Sequence, residues 1–163
     1  MIRCFKSGKH PQIVPFVLFG ILFFAINYYF FNFLKMRSGT IIWSDAEGYY
    51  QYLPYYFLQH DITHMGYAVR LDNGLMFDKF TYGTALMELP FFGLAYLYNI
   101  TFGFINDGYT SVYAMFIWVA ASFYAYLGLF FLYKILRKWF DKLPSFIAVI
   151  CVYFGTNLFF TPL

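Results

Sequence analysis

SVYAMFIWVAASFYAYLGLFFLY, the run from Ser111 to Tyr133, contains no charged residue and is followed at once by Lys134, Arg137, Lys138 and Lys142. About 20 apolar residues are needed for a helix to span the hydrocarbon core of a bilayer. The run is long enough, and it reads as a crossing helix. In lipid the backbone N–H and C=O groups have only one another as partners, so the helix is required whatever the propensity of its β-branched and aromatic residues. Two further uncharged runs share this character, Ile13 to Leu34 and Leu143 to Leu163.

Composition leads to the same class. Of 163 residues, 61% are hydrophobic and 12% are charged, whereas soluble domains carry roughly 25% charge. A soluble globular protein is thereby excluded. The aromatic share of 27% suits a chain with much of its length at the membrane–water interface. The first apolar run is too long for the core of a signal peptide and no small-residue cleavage site follows it, so it reads as an uncleaved anchor. Cys4 lies in the basic N-terminal tail and Cys151 in an apolar run, so no disulfide framework is expected.

Thr84 to Ile105 is also apolar, but it contains Glu88, Pro90 and Asn99. Charge placement decides how it is read. Arg3, Lys6 and Lys9 precede the first run, and Lys134 to Lys142 precede the last. Between Lys35 and Thr110, Lys35, Arg37, Arg70 and Lys79 are outnumbered by seven acids, Asp45, Glu47, Asp61, Asp72, Asp78, Glu88 and Asp107. Basic flanks stay on the cytoplasmic side. A fourth crossing at 84–105 would put Lys134–Lys142 outside, whereas a helix lying at the outer interface leaves both basic clusters inside. Lys35 and Arg37 then follow the first span on the outer side, where long basic side chains can snorkel to lipid phosphates.

The expected fold is all-α: a polytopic membrane protein with three transmembrane helices and outer-face juxtamembrane helices. The spans fall at about 13–34, 111–133 and 143–163. The outer loop, 35–110, carries interfacial helices at about 45–60 and 84–105. Residues 1–163 read as a single membrane domain. The close at Thr161-Pro162-Leu163, with no flanking charge, reads as the end of an N-terminal portion, the remainder of a larger polytopic protein being its partner.

The chemistry is concentrated in Trp43-Ser44-Asp45-Ala46-Glu47-Gly48-Tyr49-Tyr50-Gln51-Tyr52-Leu53-Pro54. Two carboxylates stand at the start of a short helix, close to the outer membrane surface. Tyr49, Tyr52 and Tyr56 follow at helical spacing and give one aromatic face. A structural reading stands beside the functional one. Ser44-x-x-Glu47 has the form of a capping box, and Asp45 in a first turn suits the helix dipole. A capping box does not use Asp45, which makes it the better catalytic candidate.

A basic cytoplasmic start, one span and an acidic motif at its outer end resemble the GT-C superfamily of membrane glycosyltransferases, to which the protein O-mannosyltransferases and the aminoarabinose transferases of lipid A belong. Asp45 matches the catalytic acid of the first outer loop and Glu47 the second acidic position, although Ala46 separates two acids that commonly adjoin in the family. Lys79-Phe80-Thr81-Tyr82-Gly83 followed by Thr84–Tyr98 looks like the turn into the second juxtamembrane helix, without the family's proline. Ser111 to Lys138 resembles the second span, and Tyr133-Lys134-Ile135-Leu136-Arg137 its cytoplasmic edge.

The resemblance implies transfer of a sugar from a polyprenyl-phosphate donor to an acceptor hydroxyl on the outer side. Asp45 would take the acceptor's proton, with Glu47 as the second acid. Lys79 or Arg70 would meet the departing phosphate. Tyr49, Tyr52 and Tyr82 would face the substrate, and Tyr50, Tyr55 and Tyr56 would stack on sugar or anchor the loop among headgroups. The resemblance makes no cofactor obligatory, although some members use a divalent metal. The partners it implies are membrane lipid and the lipid-linked donor, with no nucleic acid, and the location a bacterial inner membrane with the N-terminus cytoplasmic.

Two other classes compete: a transporter or flippase segment, and a non-catalytic scaffold subunit. A transporter should carry ionisable residues inside its spans, and these three runs have none. Weaker signals are the His60/His64 pair at metal-ligand spacing, the Asn99-Ile100-Thr101 sequon, the Asn106-Asp107-Gly108 turn signal, and Gly155, Thr156 and Asn157 at a helix contact.

Overall fold

The computed structural model describes residues 13–38, 42, 44–61 and 65–156. Arg3, Cys4, Lys6, Lys9, Trp43, His64 and the stretch from Asn157 onward lie outside the described residues, as do the side chains of Lys35 and Arg37.

The described chain is mostly helical. Helix α1 covers Ile13–Ser38, α2 Asp45–Tyr50 and α3 Tyr52–Pro54, which continues into a π-helical turn at Tyr55–Gln59. Strands β1 (Val69–Arg70) and β2 (Met76–Phe77) form a small antiparallel hairpin, with Val69 opposite Phe77 and Arg70 opposite Met76. Helices α4 (Gly83–Phe102), α5 (Ser111–Leu136) and α6 (Lys142–Gly155) complete it.

Among the described residues, two helices are long and apolar enough to cross a membrane, α1 through its Phe16–Phe33 window and α5 over Ser111–Leu136. Helix α6 has 14 described residues, about 21 Å at ~1.5 Å per residue, less than the ~30 Å of a hydrocarbon core. The helix ends at Gly155, where Thr156 takes an extended backbone (φ −121, ψ 173), so the described residues do not show the continuous third span expected over 143–163.

Local chemistry explains the breaks. Gly103 ends α4 in the left-handed region at φ 70, its N–H reaching the Asn99 carbonyl, as glycine beyond a C-terminus does. The expected turn at Asn106-Asp107-Gly108 is present. Asp107 Oδ1 accepts from the N–H groups of Tyr109 at 2.8 Å and Thr110 at 3.0 Å, satisfying donors at the start of α5. Pro144 stands in the first turn of α6, where a missing N–H costs nothing.

Helix α5 is the centre of the bundle. Phe16 of α1 packs on Phe130 and Tyr133, with ring centroids 5.3 and 5.2 Å apart, and Phe31 on Trp118 at 5.2 Å. Helices α1 and α5 are therefore antiparallel, and the N-terminal end of α1 lies beside the basic end of α5. Phe19 meets Phe146, and Phe23 meets Tyr153 at 4.8 Å, so α6 runs parallel to α1. Helix α4 is antiparallel to α5 along that helix's first half: Tyr124 Oη donates to the Met87 carbonyl at 2.9 Å and Asn99 Nδ2 to Thr110 Oγ1 at 3.4 Å.

Where lipid is the solvent, burying apolar surface between helices gains little, and association rests on close packing and interhelical hydrogen bonds. Both are present. Asn27 Nδ2 donates to Tyr153 Oη at 2.8 Å, and Tyr126 Oη to the Phe16 carbonyl at 2.9 Å. Gly20 admits the second of these rings, because a Cβ there would lie 2.8 Å from Tyr126 Oη. Each such bond contributes about 0.6–2 kcal/mol.

Candidate functional site

The site is built on α2 and the turn before α4. Helix α2 opens at Ser44, whose backbone sits at φ 57 and ψ −131, a region that disfavours residues with a Cβ. The expected capping box does not form: Ser44 makes no side-chain cap bond. A positive φ turns its hydroxyl away from the geometry a cap requires, since an N-cap residue normally takes β-region angles. Glu47 faces a different partner, accepting from Tyr67 Oη at 3.4 Å.

Asp45 lies exposed in the first turn. Desolvation, followed by the charges of Glu47 and Asp45, raises the Tyr67 phenol, so both acids are within electrostatic reach of one hydroxyl. Gln51, one helical turn after Glu47, is 1% exposed. Its Nε2 donates to Asp78 Oδ2 at 2.7 Å and to the Gly48 carbonyl at 3.2 Å, while its Oε1 accepts the Tyr67 N–H at 3.3 Å. Asp78 Oδ1 in turn accepts the Phe80 N–H at 2.9 Å.

Phe80 is the hub of the aromatic part. Its ring packs on Tyr49 at 4.9 Å and Tyr67 at 5.4 Å, and lies against Gly48 so closely that any Cβ there would overlap it. Lys79 Nζ stands 4.5 Å from the centroid of the same ring. Tyr52 Oη donates to the Phe80 carbonyl at 2.6 Å. Burial, then the charge and hydrogen bond of Asp78, push the Tyr52 phenol up to about 12.

The structure thus gathers Glu47, Tyr49, Tyr52 and Lys79 around Phe80 and Tyr67, with Asp45 exposed in the first turn of the same helix as Glu47. Arg70 is exposed on the hairpin, tied to the cluster through the chain that runs back to Tyr67. Tyr82 lines, with Tyr52, Tyr56, Phe57 and Leu86, an apolar groove of about 280 Å³ between the π-helical turn and α4.

Tyr50 belongs to the core and not to a substrate surface. It is fully buried, donates from Oη to the Gly108 carbonyl, and packs on Phe92 and Tyr109. Gly108, at φ 84, meets Pro54 with no room for a Cβ. This pair fixes α2 and α3 to the α4–α5 turn. Glu88 is close enough for its charge to raise the Tyr50 phenol further, after burial and the two neighbouring tyrosines. Its own carboxyl is pushed by burial up to about 7.

Sequence reasoning missed Gln51, Tyr67, Asp78 and Phe80. One signal for Gln51 was present: a lone amide interrupting an aromatic run, four residues after Glu47 and so on its face of the helix. Among the described residues no group of three or more His, Cys, Asp or Glu is arranged to hold a metal ion. No protein-family model, curated protein or solved structure matches the chain.

Proposed function

We propose that the chain acts in a membrane glycosyltransferase of GT-C type. It moves a sugar from a polyprenyl-phosphate donor to an acceptor hydroxyl at the outer face of a bacterial inner membrane. The acceptor oxygen forms the new bond to the anomeric carbon, the bond from that carbon to the phosphate oxygen breaks, and polyprenyl phosphate departs. Asp45 takes the acceptor's proton, and Lys79 faces the charge that develops on the phosphate.

One observation carries the reading. An exposed carboxylate and a cation lie on two sides of a single aromatic cluster, Asp45 in the first turn of the helix whose Glu47 meets Tyr67 and Lys79 over Phe80. Base, phosphate partner and stacking surface are the three parts an inverting displacement on a sugar needs. The apolar groove beside Tyr52 and Tyr82 would accept part of an isoprenoid chain.

Helix directions support the membrane arrangement. Successive crossings alternate in direction, so a crossing α4 would run opposite to α1 and leave α5 parallel to α1. Here α1 and α5 are antiparallel, and α4 runs parallel to α1. These directions do not fit four sequential crossings; α4 instead lies lengthwise along the first half of α5, and Lys134–Lys142 lie at that helix's other end.

The test is release of polyprenyl phosphate from a radiolabelled polyprenyl-phosphate sugar by the purified protein. Lys79→Met should raise KM for the donor several-fold while leaving a base-dependent turnover. An unchanged KM would remove Lys79 from the phosphate site.

A further inference from the structure

A second cavity, of about 660 Å³, lies between α1 and the C-terminal half of α5, separate from the acids on α2. Its volume is within the ~300–1,000 Å³ of ordinary ligand sites. Phe16, Val17, Phe123, Leu127 and Phe130 supply apolar walls, and Lys134 and Arg137 stand at one end. Val17 and Phe123 are 49% and 44% exposed, so the groove opens outward along the two helices long enough to cross a membrane.

The cationic end has unmet needs. Arg137 Nη1 donates to the Phe140 carbonyl at 2.6 Å, but its Nε is buried and has no partner among the described residues. Lys134 Nζ sits 5.1 Å from the Phe130 ring centroid. None of the described lining residues is acidic.

We infer that the groove binds an anionic glycerophospholipid, with an acyl chain along the apolar walls and the phosphate headgroup at Lys134 and Arg137. A lipid without net negative charge would leave the charge of the two cations unbalanced, and a free anion would leave the walls empty. An amphiphile with a negative head answers both. Basic pockets between membrane helices recognise anionic headgroups by this combination. The site does not depend on the reading of Asp45 as a catalytic base.

The experiment uses the full chain purified in dodecyl maltoside. Binding of dioleoylphosphatidylglycerol and of dioleoylphosphatidylcholine is measured by native mass spectrometry. The anionic lipid should bind up to about 25-fold more tightly, two basic contacts each giving about fivefold. Lys134→Gln and Arg137→Gln should each weaken the anionic lipid about fivefold and the zwitterionic one less, so that the preference between the two shrinks. Leu127→Trp, which fills the groove, should weaken binding of the anionic lipid while leaving both cations in place. Equal binding of the two lipids would overturn the proposal. So would variants indistinguishable from the parent chain, or displacement of the lipid by inorganic phosphate alone, which would mark an ion site.

Discussion

The side-chain amide of Gln51 donates to the Asp78 carboxylate at 2.7 Å, and this bond joins the helix that carries the acids to the turn that carries Lys79. The same amide accepts the Tyr67 N–H. One buried residue therefore sets the mutual position of α2, the hairpin and the start of α4.

Gln51→Leu keeps the volume but strips Asp78 and the Tyr67 N–H of their partner. Each buried group left unsatisfied costs about 1–3 kcal/mol. The thermal midpoint in detergent should fall clearly, and further for Gln51→Glu, which sets a second carboxylate beside Asp78. A midpoint unchanged in both variants would show that the network is dispensable.

The helices were legible because uncharged runs of this length have helix as the way to satisfy their backbone in a bilayer. The uncharged runs from Ile13 and Ser111 became α1 and α5, and Asp107-Gly108 marked the turn before α5. The network around Gln51 was not legible, because Asp78 and Tyr67 come from the far side of a hairpin and no local pattern states which amide they will meet. Ser44 and Glu47 misled for a related reason. Their spacing is that of a capping box, but Ser44 takes a positive φ and Glu47 meets Tyr67. Tyr50 looked like its neighbours Tyr49 and Tyr52 until tertiary packing set it against Gly108.

Glu88 gives a pH dependence. Burial raises its carboxyl from an ordinary 4.5 to about 7. Between those values the folded state holds a proton that the unfolded chain has lost, so stability falls as pH rises through the window. Glu88→Gln removes this loss. The variant should melt higher than the parent at about pH 8, with the gap closing at about pH 4, where both carboxyls are protonated. A gap that does not change with pH would contradict the buried, protonated carboxyl.

Accessibility tests the orientation. With Cys4 and Cys151 replaced by serine, a cysteine at Asn73, in the exposed hairpin turn, should react with an impermeant thiol reagent on intact cells. A cysteine at Asp141, between α5 and α6, should react only after the membrane is opened. Labelling at Asp141 from outside would reverse the assignment of the basic end.

The catalytic proposal rests on Asp45, and one substitution tests it most directly. Asp45→Asn keeps shape and most hydrogen bonding but removes charge and basicity. General-base catalysis contributes about 10²–10⁴-fold in rate, so sugar transfer from the lipid-linked donor should fall by that order. The amount of protein in the membrane should hardly change, since Asp45 is exposed. Glu47→Gln should be milder, and Ser44→Ala milder still, because the Ser44 hydroxyl closes no cap. The measurement is transfer turnover of Asp45→Asn against the parent chain at equal membrane level. A loss of about 10²-fold or more is the predicted result, and turnover equal to the parent's would contradict the assignment of Asp45 as the base.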